Sequence, residues 1–233
     1  MTHVRPVLVL THAAYEGPGL IGPALDAPLR VRTVVDATQP ALPALDDVSG
    51  VVVMGGAMDA DDDLHHPGLP AERALLADAV AADVPVLGIC LGAQLLSMAL
   101  GGTLLRRHGT EIGFGPVDVH ADDPVLGALG PRPTVLHWHS DAVSLPPGAT
   151  LLASTPATPV QAFRQGSALG LQFHLELEPA MLALWLATPE MVADLSDDEL
   201  DALREDGERH LPALVPTARA AVAAFADQVR RRG

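Results

Sequence analysis

Three short apolar runs, at 7–11, 50–54 and 85–89, lack the polar–apolar alternation of a strand with one wet face. A strand of this kind is buried on both sides, as in a parallel sheet covered by helices. Helical periodicity follows at 69–82 and 91–100, and strands that alternate with amphipathic helices point to α/β layering. Residues 31–35 read as a further buried strand. The stretch 84–102 is apolar enough to suggest a membrane span, but Pro85, Gln94 and several glycines interrupt it. A buried strand, turn and helix explain it better, and no membrane partner is expected.

The middle of the chain changes character. Segments 103–105, 114–119, 134–138, 142–145, 160–164 and 168–173 read as short strands separated by turn residues. They predict a small antiparallel addition to a mostly parallel central sheet flanked by helices. A helical region begins at 179–186, Ser196 and Glu199 have the spacing of a capping box, and a last helix is expected over 217–230. The chain has 233 residues, which suits one large domain at 1–187 with a helical extension at 188–233 packed on it. The apolar faces of the last helices fit packing on the sheet, or a partner or dimer interface.

Composition excludes several chemistries. The net charge is −15 and all 14 basic residues are Arg. So acidic a chain is a poor match for a phosphate backbone, so no nucleic-acid partner is expected. Without Lys there is no Schiff-base chemistry, hence no pyridoxal phosphate, and no phosphate-binding P-loop lysine. The single cysteine rules out an intrachain disulfide. No apolar stretch with a small-residue cleavage site opens the chain, and a cytoplasmic protein is expected. The acidic loop 59–63, followed by His65 and His66, invites a metal reading. Its spacing matches no known ligand set, so a solvated loop is expected, with no metal and no cofactor.

The sharpest feature is Gly88-Ile89-Cys90-Leu91-Gly92-Ala93-Gln94, between a buried strand and a helix. Most lone cysteines are small core hydrophobes. Glycines on both sides of Cys90 instead allow a tight strand-to-helix turn that holds the side chain clear of the sheet. The helix aims its free N–H groups and the positive end of its dipole at Cys90, surroundings that suit an anionic sulfur. A base is also available. Residues 169–173 read as a strand running into His174, and Glu176 lies two residues on, facing the same way. His174 can take the thiol proton, and Glu176 can hold the imidazole in the productive tautomer.

Gly-x-Cys-x-Gly-x-Gln followed some eighty residues later by His-x-Glu resembles the class I, or triad, glutamine amidotransferase family. Within it the likeness is to the glutaminase domain of GMP synthase and to related stand-alone proteins, and it covers about residues 4–186. It implies a flavodoxin-like fold and a catalytic set of Cys90, His174 and Glu176. Gly55-Gly56 resembles the oxyanion loop, with the Gly56 and Leu91 amides as donors. Gly55, Gln94, Ser140 and Asp141 would contact the substrate, the last two from the loop that holds the amino-acid end of glutamine. Glu111-Ile112-Gly113 resembles the segment that opens the antiparallel strands. The family often has Pro after the glycine pair; Ala57 stands there here, keeps its N–H and has a freer φ, so a differently shaped loop is expected.

The resemblance implies hydrolysis of the glutamine side-chain amide through a Cys90 thioester, giving glutamate and ammonia. The chain has no P-loop and no room for a second large domain, so a separate synthetase or acceptor protein is implied. The same triad also suits a γ-glutamyl peptidase or hydrolase, which needs no ammonia acceptor. A non-enzymatic regulatory or stress protein on this fold is a third reading, against which the intact triad argues.

Overall fold

The computed structural model describes residues 4–232. In chain order the elements are β1 (Val7–Leu10), α1 (Ile21–Leu25), β2 (Leu29–Arg32), β3 (Gly50–Val53), α2 (Leu69–Ala81), β4 (Val86–Ile89) and α3 (Leu91–Ala99). Then come β5 (Leu104–Leu105), β6 (Glu111–Pro116), β7 (Asp118–Val119), α4 (Pro124–Gly127), β8 (Thr134–His139), β9 (Ala142–Val143) and β10 (Thr150–Ser154). The chain closes with β11 (Ala162–Gln165), β12 (Ala168–Leu171), α5 (Pro179–Leu186), α6 (Pro189–Val192) and α7 (Asp197–Arg232).

Eight strands form the main sheet in the order β2-β1-β3-β4-β12-β11-β10-β7. From β2 to β12 they are parallel, and beyond β12 antiparallel. Two antiparallel pairs, β5–β9 and β6–β8, lie outside it. The parallel core with its antiparallel addition is the architecture that the sequence predicts. All four residues of β1, β3, β4 and β12 are buried. Alternate side chains feed two cores: Val7, Val9, Val52 and Leu87 meet residues of α1, α4, α5 and α7, while Leu8, Leu10, Val51 and Val86 meet α2 and α3. The period-two geometry of a strand divides the apolar run between the two layers.

Several local expectations need correction. Residues 31–35 do not form a buried strand: β2 ends at Arg32, pairs only with β1 and is mostly exposed. It is an edge strand, and Val34 and Val35 are buried after it in the following loop. The expected strand at 114–119 is broken at Val117 into β6 and β7, which join different sheets. The strand read as running to 173 ends at Leu171, and His174 makes only an isolated bridge to Leu136. The last helix begins twenty residues before 217: α7 is continuous over 36 residues although Pro212 and Pro216 lie inside it. Each proline lacks an N–H, but Leu203, Leu211, Leu214, Val222, Phe225 and Val229 all bury one face of α7 in the same core. That tertiary burial outweighs the local helix-breaking preference. The capping box forms at its head, with the Ser196 N–H and hydroxyl donating to Glu199 Oε2 at 2.8 and 2.6 Å.

The β4–α3 junction shows why glycines flank Cys90. A Cβ on Gly88 would strike the Gly92 backbone, and one on Gly92 would strike the Val53 carbonyl of the neighbouring strand. The helix can therefore start directly on top of the sheet only with glycine at both places. Gly92→Ala is expected to lower stability by about 2 kcal/mol or more, read as an earlier midpoint in urea unfolding; an unchanged midpoint would mean that the junction has slack.

Candidate active site

Cys90 is the residue between β4 and α3, with φ 51° and ψ −107°. A side-chain-bearing residue rarely takes a positive φ, and it persists only where the surroundings enforce it. Here they do: the Cys90 N–H donates to the Leu171 carbonyl at 2.8 Å, and its carbonyl accepts from Ala93 and Gln94 at the start of α3. The Cys90 Sγ lies 3.7 Å from the Trp138 carbonyl, and Gln172 Nε2 donates to it at 3.6 Å.

His174 follows β12 and is fixed by its N–H to the Leu136 carbonyl, 2.9 Å. Its Nδ1 meets Glu176 Oε1 at 2.7 Å, with both side chains about 2% exposed. The i, i+2 pair thus meets even though the strand has ended. Nδ1 engaged by a carboxylate leaves Nε2 as the working nitrogen; among the described residues Nε2 has no hydrogen-bond partner. Burial pushes the His174 pKa down, but Glu176 and the Cys90 sulfur outweigh it and the net shift is well upward. Trp185 of α5 sets its ring edge-on to His174, centroids 5.0 Å apart, while its Nε1 donates to the Tyr15 carbonyl at 2.8 Å. The C-terminal helices therefore hold the histidine from behind.

Gly55 and Gly56 follow β3. His12, after β1, bridges the Gly55 carbonyl (Nδ1, 2.8 Å) and Glu72 Oε2 of α2 (Nε2, 3.0 Å). Burial lowers the His12 pKa, but the bond and charge of Glu72 more than reverse this. In a trans peptide the carbonyl and the next N–H point opposite ways. Holding the Gly55 carbonyl therefore turns the Gly56 N–H away from His12. The sequence signal for this device is slight, since His12 and Glu72 lie 60 residues apart and neither belongs to a motif.

A cavity of about 240 Å³ gathers Cys90, His174, Gly56, Ala57, Gln94, Ser140 and Asp141, with Glu190, Met191, Asp194 and Leu195 from α6 and the turn after it. The expected site residues thus converge, with three outside the lining. Glu176 stands behind His174, Leu91 is buried with its side chain toward Gly56, and Gly55 is buried against Glu16. Gln94 Nε2 reaches the Asp141 carbonyl and Gln172 Oε1, both at 3.4 Å. Asp141 Oδ1 accepts the Arg107 N–H at 2.8 Å. Acidic-loop carboxylates are paired: Asp59 and Asp61 with Arg106, Asp63 with Arg73, and Asp62 with His65. Glu111, His137 and His139 place one potential ligand atom each within 4.8 Å of the others. Glu111 Oε2 already accepts from Gln161 and Thr155, at 2.6 and 3.0 Å.

A model of the family described as glutamine amidotransferase class I matches residues 27–182. The chain belongs to the class I glutamine amidotransferase family. It is 40% identical over 119 residues to a GMP synthase of Parafrankia, covering 49% of this chain and 21% of that one. It therefore spans about a fifth of that relative. It is 31% identical over 155 residues to one subunit of a glutamine-hydrolysing GMP synthase from Sulfolobus acidocaldarius, covering 64% and 79%. A glutamine amidotransferase structure from Thermotoga maritima superposes with a TM-score of 0.85 at 28% identity, covering 97% of this chain and 99% of that one. Among the described residues no helix is long and apolar enough to cross a membrane.

Glu16 also lines the cavity and belongs to no sequence motif. Glu16 is 5% exposed and its pKa is raised to about 7, chiefly by burial, with Glu176 adding and His174 and His12 opposing. A pKa above the ordinary 4.5 means that this group favours folding fully below about pH 4.5 and loses that contribution as pH rises through about 7. Glu16→Gln removes the titration. Between pH 5 and 8, wild-type stability is expected to fall relative to the variant by an amount on the order of 3 kcal/mol, read from urea midpoints; parallel pH dependence would contradict it.

Proposed function

We propose that this chain hydrolyses the side-chain amide of glutamine with Cys90 as nucleophile. The observation that carries the reading is Cys90 held at a positive φ at the head of α3, in one cavity with a His174 whose Nδ1 is fixed by Glu176 and whose Nε2 has no partner among the described residues. The Cys90 sulfur attacks the amide carbonyl. The Gly56 and Leu91 amides, at the loop that His12 orients and at the head of α3, stabilise the oxyanion. His174 passes a proton to the departing nitrogen, leaving a glutamyl thioester and ammonia. Water activated by His174 then releases glutamate and restores Cys90. Gln94 contacts the bound glutamine, and Ser140 and Asp141 hold its amino-acid end. The Sulfolobus relative is by name one part of a synthase made of several chains; by extension the ammonia here serves an acceptor enzyme on a separate chain.

A second reading is favoured by one feature. A neighbouring cleft shares Asp59, Ile112, Ser140, Asp141, Asp194 and Leu195 with the cavity. The space these residues line exceeds what glutamine alone requires, and a γ-glutamyl peptide or amide is the larger substrate that carries the same carbonyl. Purified protein is expected to release glutamate and ammonia from glutamine, and Cys90→Ser to reduce this by about three orders of magnitude or more, measured by coupled glutamate detection. Faster turnover of γ-glutamyl peptides than of glutamine would favour the second reading. Residual activity in Cys90→Ser comparable to wild type would rule out both.

A further inference from the structure

Glu16 has no role in the chemistry above, yet it lines the same cavity. The residue is only 5% exposed, its carboxyl borders the cavity, and no ion-pair partner for it is found among the described residues. A Cβ placed on Gly55 would collide with Glu16 Oε2 and lie 3.6 Å from His174 Cε1. Carboxyl and imidazole therefore flank one point above Gly55. Gln94, Ser140 and Asp141 line the same cavity, where Gln94 Nε2 meets the Asp141 carbonyl. Only glycine at position 55 leaves room for this approach.

We infer that Glu16 is a further catalytic residue of the Cys90 site, its carboxylate accepting an N–H bond from the nitrogen that leaves the γ-glutamyl group. The inference rests on the amide-hydrolysing reading and adds the group that receives the nitrogen. In the collapsing intermediate the C–N bond breaks, and its electron pair stays on nitrogen, which takes the His174 proton. The C–S bond remains as the thioester. A carboxylate beside His174 holds the remaining N–H groups and the ammonia or amine product. By reversibility it also holds an amine that attacks the thioester. A carboxylate that lines the cavity and has no protein donor among the described residues is open to a nitrogen donor from the substrate.

The charged groups facing Glu16 fit this role. His12, paired with Glu72, and His174, paired with Glu176, adjoin it. Asp59, His139, Asp141, Glu190 and Asp194 also line the cavity, which has no Arg among its lining residues. The surroundings therefore suit a basic nitrogen better than a second anion.

The test compares wild type and Glu16→Gln, each with intact Cys90. First, kcat/KM for glutamine and for a γ-glutamyl anilide is followed from pH 5.5 to pH 9. Second, the thioester is partitioned between water and added hydroxylamine, as the ratio of γ-glutamyl hydroxamate to glutamate. The wild type should gain activity through about pH 7, where the carboxyl ionises. In Glu16→Gln that inflection should vanish, with activity above it lower by about tenfold, the size of one lost bond to a charged group. The hydroxamate ratio should fall as well. A uniform drop at every pH, with inflection and ratio kept, would assign Glu16 a purely structural role and overturn the inference. A wild type that releases glutamate from neither substrate would overturn the hydrolytic reading beneath it. The unfolding midpoints of the variant separate loss of fold from loss of function.

Discussion

The backbone of Cys90 is the constraint on which the rest depends. Its φ of 51° puts the sulfur at the carboxyl edge of the sheet and starts α3 in the next residue. Such a conformation costs on the order of 1–3 kcal/mol and needs close packing to hold it. That packing is supplied by Gly92 against Val53, Gly88 against Gly92, and the bond from Cys90 N–H to Leu171. The first and last of these contacts also tie the β4–α3 turn to a strand whose next residues enter the site: β3 leads to Gly55 and Gly56, β12 to His174. The sheet order that brings these strands side by side therefore assembles the cavity. Clefts beyond the carboxyl ends of parallel strands are where open α/β sheets place their ligands.

Around that turn, buried charge is arranged in pairs. Glu72 holds His12 and Glu176 holds His174, each inside the protein. Breaking such a pair strands a buried charge, which costs several kcal/mol. Both histidines are thereby kept in one orientation, one gripping the Gly55 carbonyl and the other facing the sulfur. Glu16 differs: it lines the cavity with no ion-pair partner among the described residues, and burial, with Glu176 adding, raises its pKa. The C-terminal helices complete the enclosure. Trp185 packs on His174, and the segment around α6 closes one side of the cavity.

Much of this was legible in the sequence. Uninterrupted apolar runs mark β1, β3 and β4 because strands buried on both faces cannot alternate. The glycine spacing around Cys90 and the His174–Glu176 spacing each encode a local geometry, and local geometry is what a sequence reports best. What escaped depends on long-range contact. His12 and Glu72 meet only through the fold, and Glu16 looks like any loop acid until Gly55 and His174 are placed beside it. The continuity of α7 was hidden by Pro212 and Pro216, whose local preference is outweighed by a buried face. Strand β2 was misplaced because Val31 is exposed on the sheet edge while Val34 and Val35 are buried in the loop after it, and neighbours rather than composition decide burial.

The proposed chemistry stands on a covalent bond between the Cys90 sulfur and a γ-glutamyl carbonyl. Acid quenching of the protein during turnover of glutamine, followed by mass analysis of its peptides, tests this directly. The expected result is a glutamyl adduct on the peptide containing Cys90, present in the quenched sample and lost when the sample is treated with hydroxylamine. Glutamate formation with no adduct at Cys90, or an adduct at another residue, would contradict it.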